Sequence, residues 1–138
     1  EEVIAAFKQY VTEEAKKYEK EFPPELYAEW VRIYQITPPL RGKSWHFKHL
    51  TVNHVYAPLA RSDGRIYRLL QEAKAAGGDR QKKLFQFLTE VGTRALRFHL
   101  GRLLEMAESS PTKQAYEDKV MERFYGAKQL YLPKDLGF

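Results

Sequence analysis

Residues 84–89 read LFQFLT, and Gly92 follows three positions later, ahead of Leu96, His99 and Leu100. An amphipathic helix needs only apolar residues three or four positions apart. It does not need an aromatic–Gln–aromatic run that meets a glycine. We interpret the stretch as one helix that stops at Gly92 and a second amphipathic helix that begins after it.

The same spacing of three and four recurs along most of the chain, and no segment alternates cleanly as a strand would. Helices are predicted over residues 2–21, 24–35, 46–57, 65–76, 80–91, 94–108 and 112–125. Pro23-Pro24 and Gly77-Gly78 separate neighbouring segments, because proline lacks an amide donor and glycine favours helix ends. Ser62-Asp63-Gly64 is a predicted helix cap. These patterns predict an all-α fold, a compact single-domain array of about six or seven helices over residues 1–138.

The first predicted helix has an apolar stripe with two interpretations. Ile4, Phe7, Val11 and Tyr18 lie on one face of a helix over residues 2–21. The stripe can pack against its own domain, or it can bind a partner or a second copy of the chain, since its spacing is close to a heptad. These four residues are the candidate partner-binding set.

Composition limits the class of protein. The 138 residues contain 43% hydrophobic and 14% aromatic residues and no cysteine, which indicates a folded domain without disulfides. No apolar run approaches the ~20 residues of a membrane span, and no signal peptide is evident. We expect a cytoplasmic protein that does not enter a membrane.

The chain begins without Met inside a helical pattern, so we expect it to be the C-terminal part of a longer protein, with residues 1–22 linking to a further domain.

Positive charge is concentrated in the middle of the chain. The formal net charge is +5, with an excess of Lys and Arg between Arg41 and Leu104 and mildly acidic segments on either side. A basic surface attracts polyanions. The candidate nucleic-acid-binding residues are Lys43, Lys48, Arg61, Arg65, Arg68, Arg80, Lys82 and Lys83. The alternative is a solvated surface that happens to be rich in Lys and Arg.

Patterns of enzyme chemistry are weak in this sequence. His46, His49 and His54 are close together and have one pair at metal-binding spacing, but no cysteine joins them. The carboxylates sit among lysines on predicted helices, as in ordinary charge pairing. We therefore expect no enzyme, no metal, no cofactor and no small-molecule substrate. Trp45 is expected in the core, with stacking on a base as the alternative.

Three blocks in order carry a family resemblance. Phe22-Pro23 with Glu25 and Tyr27 comes first, and Thr51-Val52-Asn53 with Tyr56 and Leu59 follows. The stretch from Leu84 to Leu100 is the third block. Together they resemble the P-sixty-three C-terminal domain family, over about Glu2 to Phe124.

The resemblance implies a domain at the C-terminal end of proteins carried by bacteriophages, prophages and related mobile elements. It carries over no catalytic residues. We expect a non-enzymatic module of a DNA-associated regulatory or defence protein whose basic central surface contacts nucleic acid. The alternative is a protein-interaction or self-association module without direct nucleic-acid contact.

Overall fold

The computed structural model describes residues 6–37 and 45–126, and within them the fold is built from helices. The α-helices are α1 (Pro24–Tyr34), α2 (Trp45–Thr51), α3 (Arg65–Gly77), α4 (Glu90–Glu108) and α5 (Lys113–Val120). Two π-helices, Val52–Tyr56 and Met121–Tyr125, continue α2 and α5. Short 3₁₀ turns occupy Lys8–Tyr10, Leu59–Arg61 and Leu84–Phe87. The all-α prediction is confirmed, but the described residues contain five α-helices, fewer than the six or seven predicted.

The ends of α1 and α3 follow from proline and glycine. Helix α1 begins at Pro24 after an extended Pro23, because proline at the first helical position loses no hydrogen bond. Helix α3 ends at Gly77, and Gly78 adopts a left-handed φ of 78° at its C-cap. At the start of α3 the predicted cap Ser62-Asp63-Gly64 is present through its glycine and not through a Ser or Asp side chain. Gly64 occupies the N-cap position there, with no side-chain cap bond.

The core contains a series of polar groups among apolar side chains. The Trp30 indole donates to the Tyr116 hydroxyl at 2.7 Å, and that hydroxyl lies 2.9 Å from His54 Nδ1. The hydroxyl accepts from Trp30, and the His54 tautomer sets which group donates in the second bond. Burial lowers the pKa of His54 to about 3, so this imidazole is neutral. Each of these three side chains thus has a partner, as buried polar groups require.

The helix predicted over residues 2–21 is wrong beyond Tyr10. A 3₁₀ turn occupies Lys8–Tyr10, and Val11 after it has extended backbone. The backbone amides of Thr12 and Lys16 donate to the carbonyls of Phe87 and Gln86, at 2.8 and 2.7 Å. These amides would bond within the segment in a helix, and here they bond to a distant loop instead.

Burial of the apolar stripe does not require a helix. Phe7 and Val11 pack against the core, whereas Tyr18 is 54% exposed. Ile4 lies outside the described residues. The structure therefore favours packing against its own domain for Phe7 and Val11. A role in binding a partner stays a prediction.

The predicted break at Gly92 is also wrong. Residues 84–87 form a 3₁₀ turn, and α4 begins at Glu90, so Gly92 lies inside the first turn of one continuous helix. A Cβ at this position would collide with the Tyr10 carbonyl oxygen. The glycine is needed for the close approach of the N-terminal segment and does not end a helix.

Two further predictions have clear outcomes. Trp45 is 60% exposed and stacks on His49 at 5.2 Å between ring centroids, so its expected core position is wrong. None of the helices formed by the described residues combines the length and the apolar character that crossing a bilayer requires.

Candidate functional site

A basic groove runs between the N-terminal segment, α2, α3 and the loop before α4. It consists of two adjoining hollows with volumes of about 460 and 530 Å³, which share Lys48, Tyr67, Lys74 and Leu84. We call this feature the groove. Its basic lining residues are Lys20, Lys48, Lys74, Arg80 and Lys83.

Aromatic rings form much of the groove lining. They are Tyr18, Phe22, Tyr27, Tyr56, Tyr67 and Phe85. Phe85 lies at the junction of this set, with ring centroids 5.7 Å from Tyr18 and 6.0 Å from Phe22. Burial raises the pKa of the Tyr56 and Tyr67 hydroxyls, so both rings stay neutral beside the lysines.

The carboxylates of the groove are fewer than its cations. Glu21 and Asp79 are the acidic lining residues, against five basic ones. Glu21 is already neutralised, because Arg97 donates two hydrogen bonds to it at 2.7 and 2.9 Å. Asp79 accepts the backbone amide of Gln81 at 2.9 Å. The groove therefore has a positive potential over an aromatic surface.

Gln86 fixes the two walls of the groove relative to each other. Its side-chain amide donates to the Lys16 carbonyl at 2.9 Å, and its oxygen accepts the Lys83 amide at 2.8 Å. One wall contributes Tyr18 and Lys20, and the other contributes Lys83 and Phe85. The buried Gln86 thereby sets the groove geometry without lining it.

The predicted basic residues divide among several places. Lys48, Arg80 and Lys83 line the groove. Arg68 is exposed and Lys82 is half-buried, and neither lines it. Arg65 lies 3.8 Å from Asp63 and donates to the Ser62 carbonyl. Arg61 lines a separate cleft beside Phe98 and Phe124, and Lys43 lies outside the described residues.

Lys20, Lys74 and the aromatic lining were absent from the predicted nucleic-acid-binding set, and Tyr18 was a candidate only for partner binding. Lys74 could have been found, because Tyr67, Gln71 and Lys74 recur on one face of a helix that the sequence predicted correctly. Lys20 had no such signal, since its segment was predicted as a helix and is not one.

The described histidines do not form a metal site. No group of three or more His, Asp or Glu residues among the described part of the chain could hold an ion. His54 is buried and bonded to Tyr116, whereas His46 is exposed. Burial and the nearby His46 lower the pKa of His49.

Comparison with known proteins gives one match. The model of the P-sixty-three C-terminal domain matches residues 6–96, about two-thirds of the chain. The match ends earlier than the resemblance through Phe124 that the sequence suggested, and it includes every residue that lines the groove. No curated protein and no solved structure matches the chain. The chain belongs to the P-sixty-three C-terminal domain family, a phage-associated domain.

Proposed function

We propose that the chain is a non-enzymatic nucleic-acid-binding module of a phage-associated regulatory or defence protein, and that the groove holds a DNA strand. The observation that supports this is the joint presence of five basic side chains and six aromatic rings around one groove. Cations bind the phosphates of a strand, and aromatic rings stack on its bases.

The groove suits a single strand better than a duplex. Its hollows, of about 460 and 530 Å³, are in the size range of pockets for single small molecules, which is too small for a duplex. Tyr18 is 54% exposed at the rim, so one of its faces is available to a base. Bases in a duplex are already stacked on each other, whereas those of a single strand can stack on Tyr18 and Phe85.

The test is fluorescence anisotropy of a labelled single-stranded oligonucleotide and of its duplex, each across a salt series. We expect the single strand to bind more tightly, with an affinity that falls as salt rises. Each phosphate contact contributes about 0.7 to the slope of log K against log salt for a single strand. Absence of binding at low salt would refute the proposal.

Matched variants locate the contact. Lys74→Gln and Lys83→Gln are each expected to weaken binding and to reduce the salt slope by about the share of one contact. Lys74→Arg keeps the charge and should keep the slope. Arg94→Gln removes an exposed charge outside the groove and is the control.

An aromatic variant separates stacking from charge. Tyr18→Ala should weaken single-strand binding by about 1–3 kcal/mol while leaving the salt slope unchanged, because it removes a ring and no cation. If Tyr18→Ala and the lysine variants both leave binding intact, the strand does not lie in the groove.

Self-association is the second candidate function. Val91 and Phe98 are 43% and 67% exposed and lie seven residues apart, on one face of α4. Exposed apolar residues on one stripe favour contact with a second copy. Phe98→Ser should lower a dimer's mass to the monomer's in light scattering. A mass that is monomeric before the substitution excludes this candidate.

A further inference from the structure

Three arginines converge on a second cleft that shares no residue with the groove. Arg61, Arg102 and Arg123 line it, together with Phe98 and Phe124, around a volume of about 170 Å³. These arginines come from three separate elements: the turn Leu59–Arg61, helix α4 and the π-helix Met121–Tyr125. We call this feature the arginine cleft.

Unusual backbone places two of the three arginines. Ala60 and Arg61 have left-handed φ values of 52° and 54°, a conformation that costs roughly 1–2 kcal/mol for a residue with a Cβ. Hydrogen bonds from Arg61 N to Pro58 O and from Gly64 N to Ala57 O hold this turn at 2.9 and 2.8 Å. Arg123 lies in a π-helix, a distortion frequent at functional sites.

The three arginines of the cleft form no ion pairs within the described residues, 6–37 and 45–126. Asp63, Glu105 and Glu122 line two adjoining hollows beside these arginines, but no carboxylate of those described ranges lines the arginine cleft itself. Like charges repel at close range, so three guanidinium groups around one small volume favour an anion between them.

Two of the other lining groups, Phe98 and His99, are compatible with a bound anion. The Arg102 guanidinium lies 5.0 Å from the Phe98 ring centroid. This cation–π contact orients the guanidinium at the edge of the cleft. His99 is buried, its Nε2 is 2.7 Å from the His54 carbonyl, and burial lowers its pKa. It is therefore a neutral donor to that carbonyl and adds no charge to the cleft.

We propose that the arginine cleft binds a phosphate group, held by Arg61, Arg102 and Arg123. Guanidinium forks match phosphate oxygens bidentately, and the cleft volume of about 170 Å³ has room for a phosphate or pyrophosphate but not for a folded partner. The phosphate belongs either to a free ligand or to a nucleic-acid backbone. None of the residues that line the groove takes part in this site.

The first experiment titrates the unaltered protein with sodium pyrophosphate at low ionic strength and follows backbone amide NMR shifts. Shifts clustered at residues 60–61, 98–102 and 123–124 are the expected result. Shifts clustered at residues 74–85, or no binding, would overturn the proposal. This measurement needs no variant, so it does not depend on whether a substituted protein folds.

The second experiment measures pyrophosphate affinity by calorimetry for Arg61→Gln and Arg123→Gln. Each loses a charge-assisted contact and should bind at least about tenfold more weakly, while Arg123→Lys should recover part of the loss. Arg94→Gln and Lys74→Gln should bind as the parent does. Equal affinity across all variants would contradict the arginine cleft, whatever the groove does.

A competition assay separates the two sources of phosphate. If a single-stranded oligonucleotide displaces pyrophosphate from both the parent and the Lys74→Gln variant, the cleft holds a backbone phosphate. If pyrophosphate stays bound at oligonucleotide saturation, the cleft holds a free phosphate ligand. Either result leaves the site in place and identifies its occupant.

Discussion

The N-terminal segment and helix α4 lie against each other and are held by different interactions. The segment is joined to the loop before α4 by backbone hydrogen bonds, including Thr12 N to Phe87 O at 2.8 Å. Helix α4 is held by buried side chains, among them Leu96, Leu100 and Leu103. A segment held through its backbone depends on a few hydrogen-bond distances, whereas a helix held by apolar burial depends on area.

The way in which the N-terminal segment is held also explains how the groove forms. The segment contacts α4 at the Lys8–Tyr10 turn and again at Lys16, whose Nζ donates to Thr93 at 2.6 Å. It then supplies Tyr18 and Lys20 to the groove wall. Had it formed the predicted helix, the backbone bonds that Gln86 and Phe87 make to it would be lost. Substitutions and changes of pH can test the interactions that hold each region. We expect them to lower the free energy of unfolding by different amounts.

Acid should weaken the core against which α4 packs, because His54 and His99 are both buried there. Burial lowers the folded-state pKa of His54 to about 3, and the pKa of His99 is lowered as well. Because the unfolded chain takes up these protons near pH 6.5, stability is full above that pH and falls as pH decreases toward the folded pKa. The loss at pH 5 is about 2 kcal/mol for His54 alone.

Urea unfolding at pH 7, 6 and 5 measures this slope. His54→Phe should have a shallower pH dependence than the parent, whereas substitution of the exposed His46 by Gln should keep the parent's slope. A free energy of unfolding that is constant from pH 7 to 5 would show that the buried histidines are not the source.

Adding one methyl group should break the contact between the two regions. In Gly92→Ala the new Cβ collides with the Tyr10 carbonyl, so the segment must shift, at a cost of up to about 3 kcal/mol. Gly101→Ala is the matched control on the same helix, since nothing lies within 4 Å of its Cβ position. That change should stabilise the protein by about 1 kcal/mol. Similar urea midpoints for both variants would contradict the close approach.

Removing the Gln86 side chain should loosen the groove wall. Gln86→Ala leaves the Lys16 carbonyl and the Lys83 amide without their partners, at a cost of about 2 kcal/mol. It should also weaken oligonucleotide binding, although Gln86 does not line the groove. The exposed Gln81→Ala is the control and should change stability by less than about 0.5 kcal/mol. Faster hydrogen exchange at the Lys16 amide would locate the effect.

The smallest expected difference compares two helix caps. Thr89 accepts the Gly92 amide at 3.1 Å as the N-cap of α4, and its hydroxyl donates to the Gln9 carbonyl at 2.7 Å. Thr112 caps α5 by accepting the Ala115 amide at 3.1 Å. Its hydroxyl donates no hydrogen bond to another described segment. Thr89→Ala should therefore cost about 1 kcal/mol more than Thr112→Ala in unfolding experiments. Equal losses would show that the tie to Gln9 contributes nothing.

Local chemistry was sufficient for much of the helical architecture. Pro24 opens α1, Gly78 closes α3, and the helix predicted over residues 65–76 matches α3 to within one residue. The basic character of the central region was also readable, because charge is a property of composition. The same information placed Lys48, Arg80 and Lys83 among the candidates, and all three line the groove.

Tertiary contacts decided what composition and spacing left open. The apolar spacing of Phe7 and Val11 suits a helix, yet the loop carbonyls of Gln86 and Phe87 take the amides of that segment instead. Gly92 resembled a helix stop, but only the position of the Tyr10 carbonyl explains it. Backbone partners many residues away have no local signature, so the groove wall and the meeting of Arg61, Arg102 and Arg123 required the folded structure.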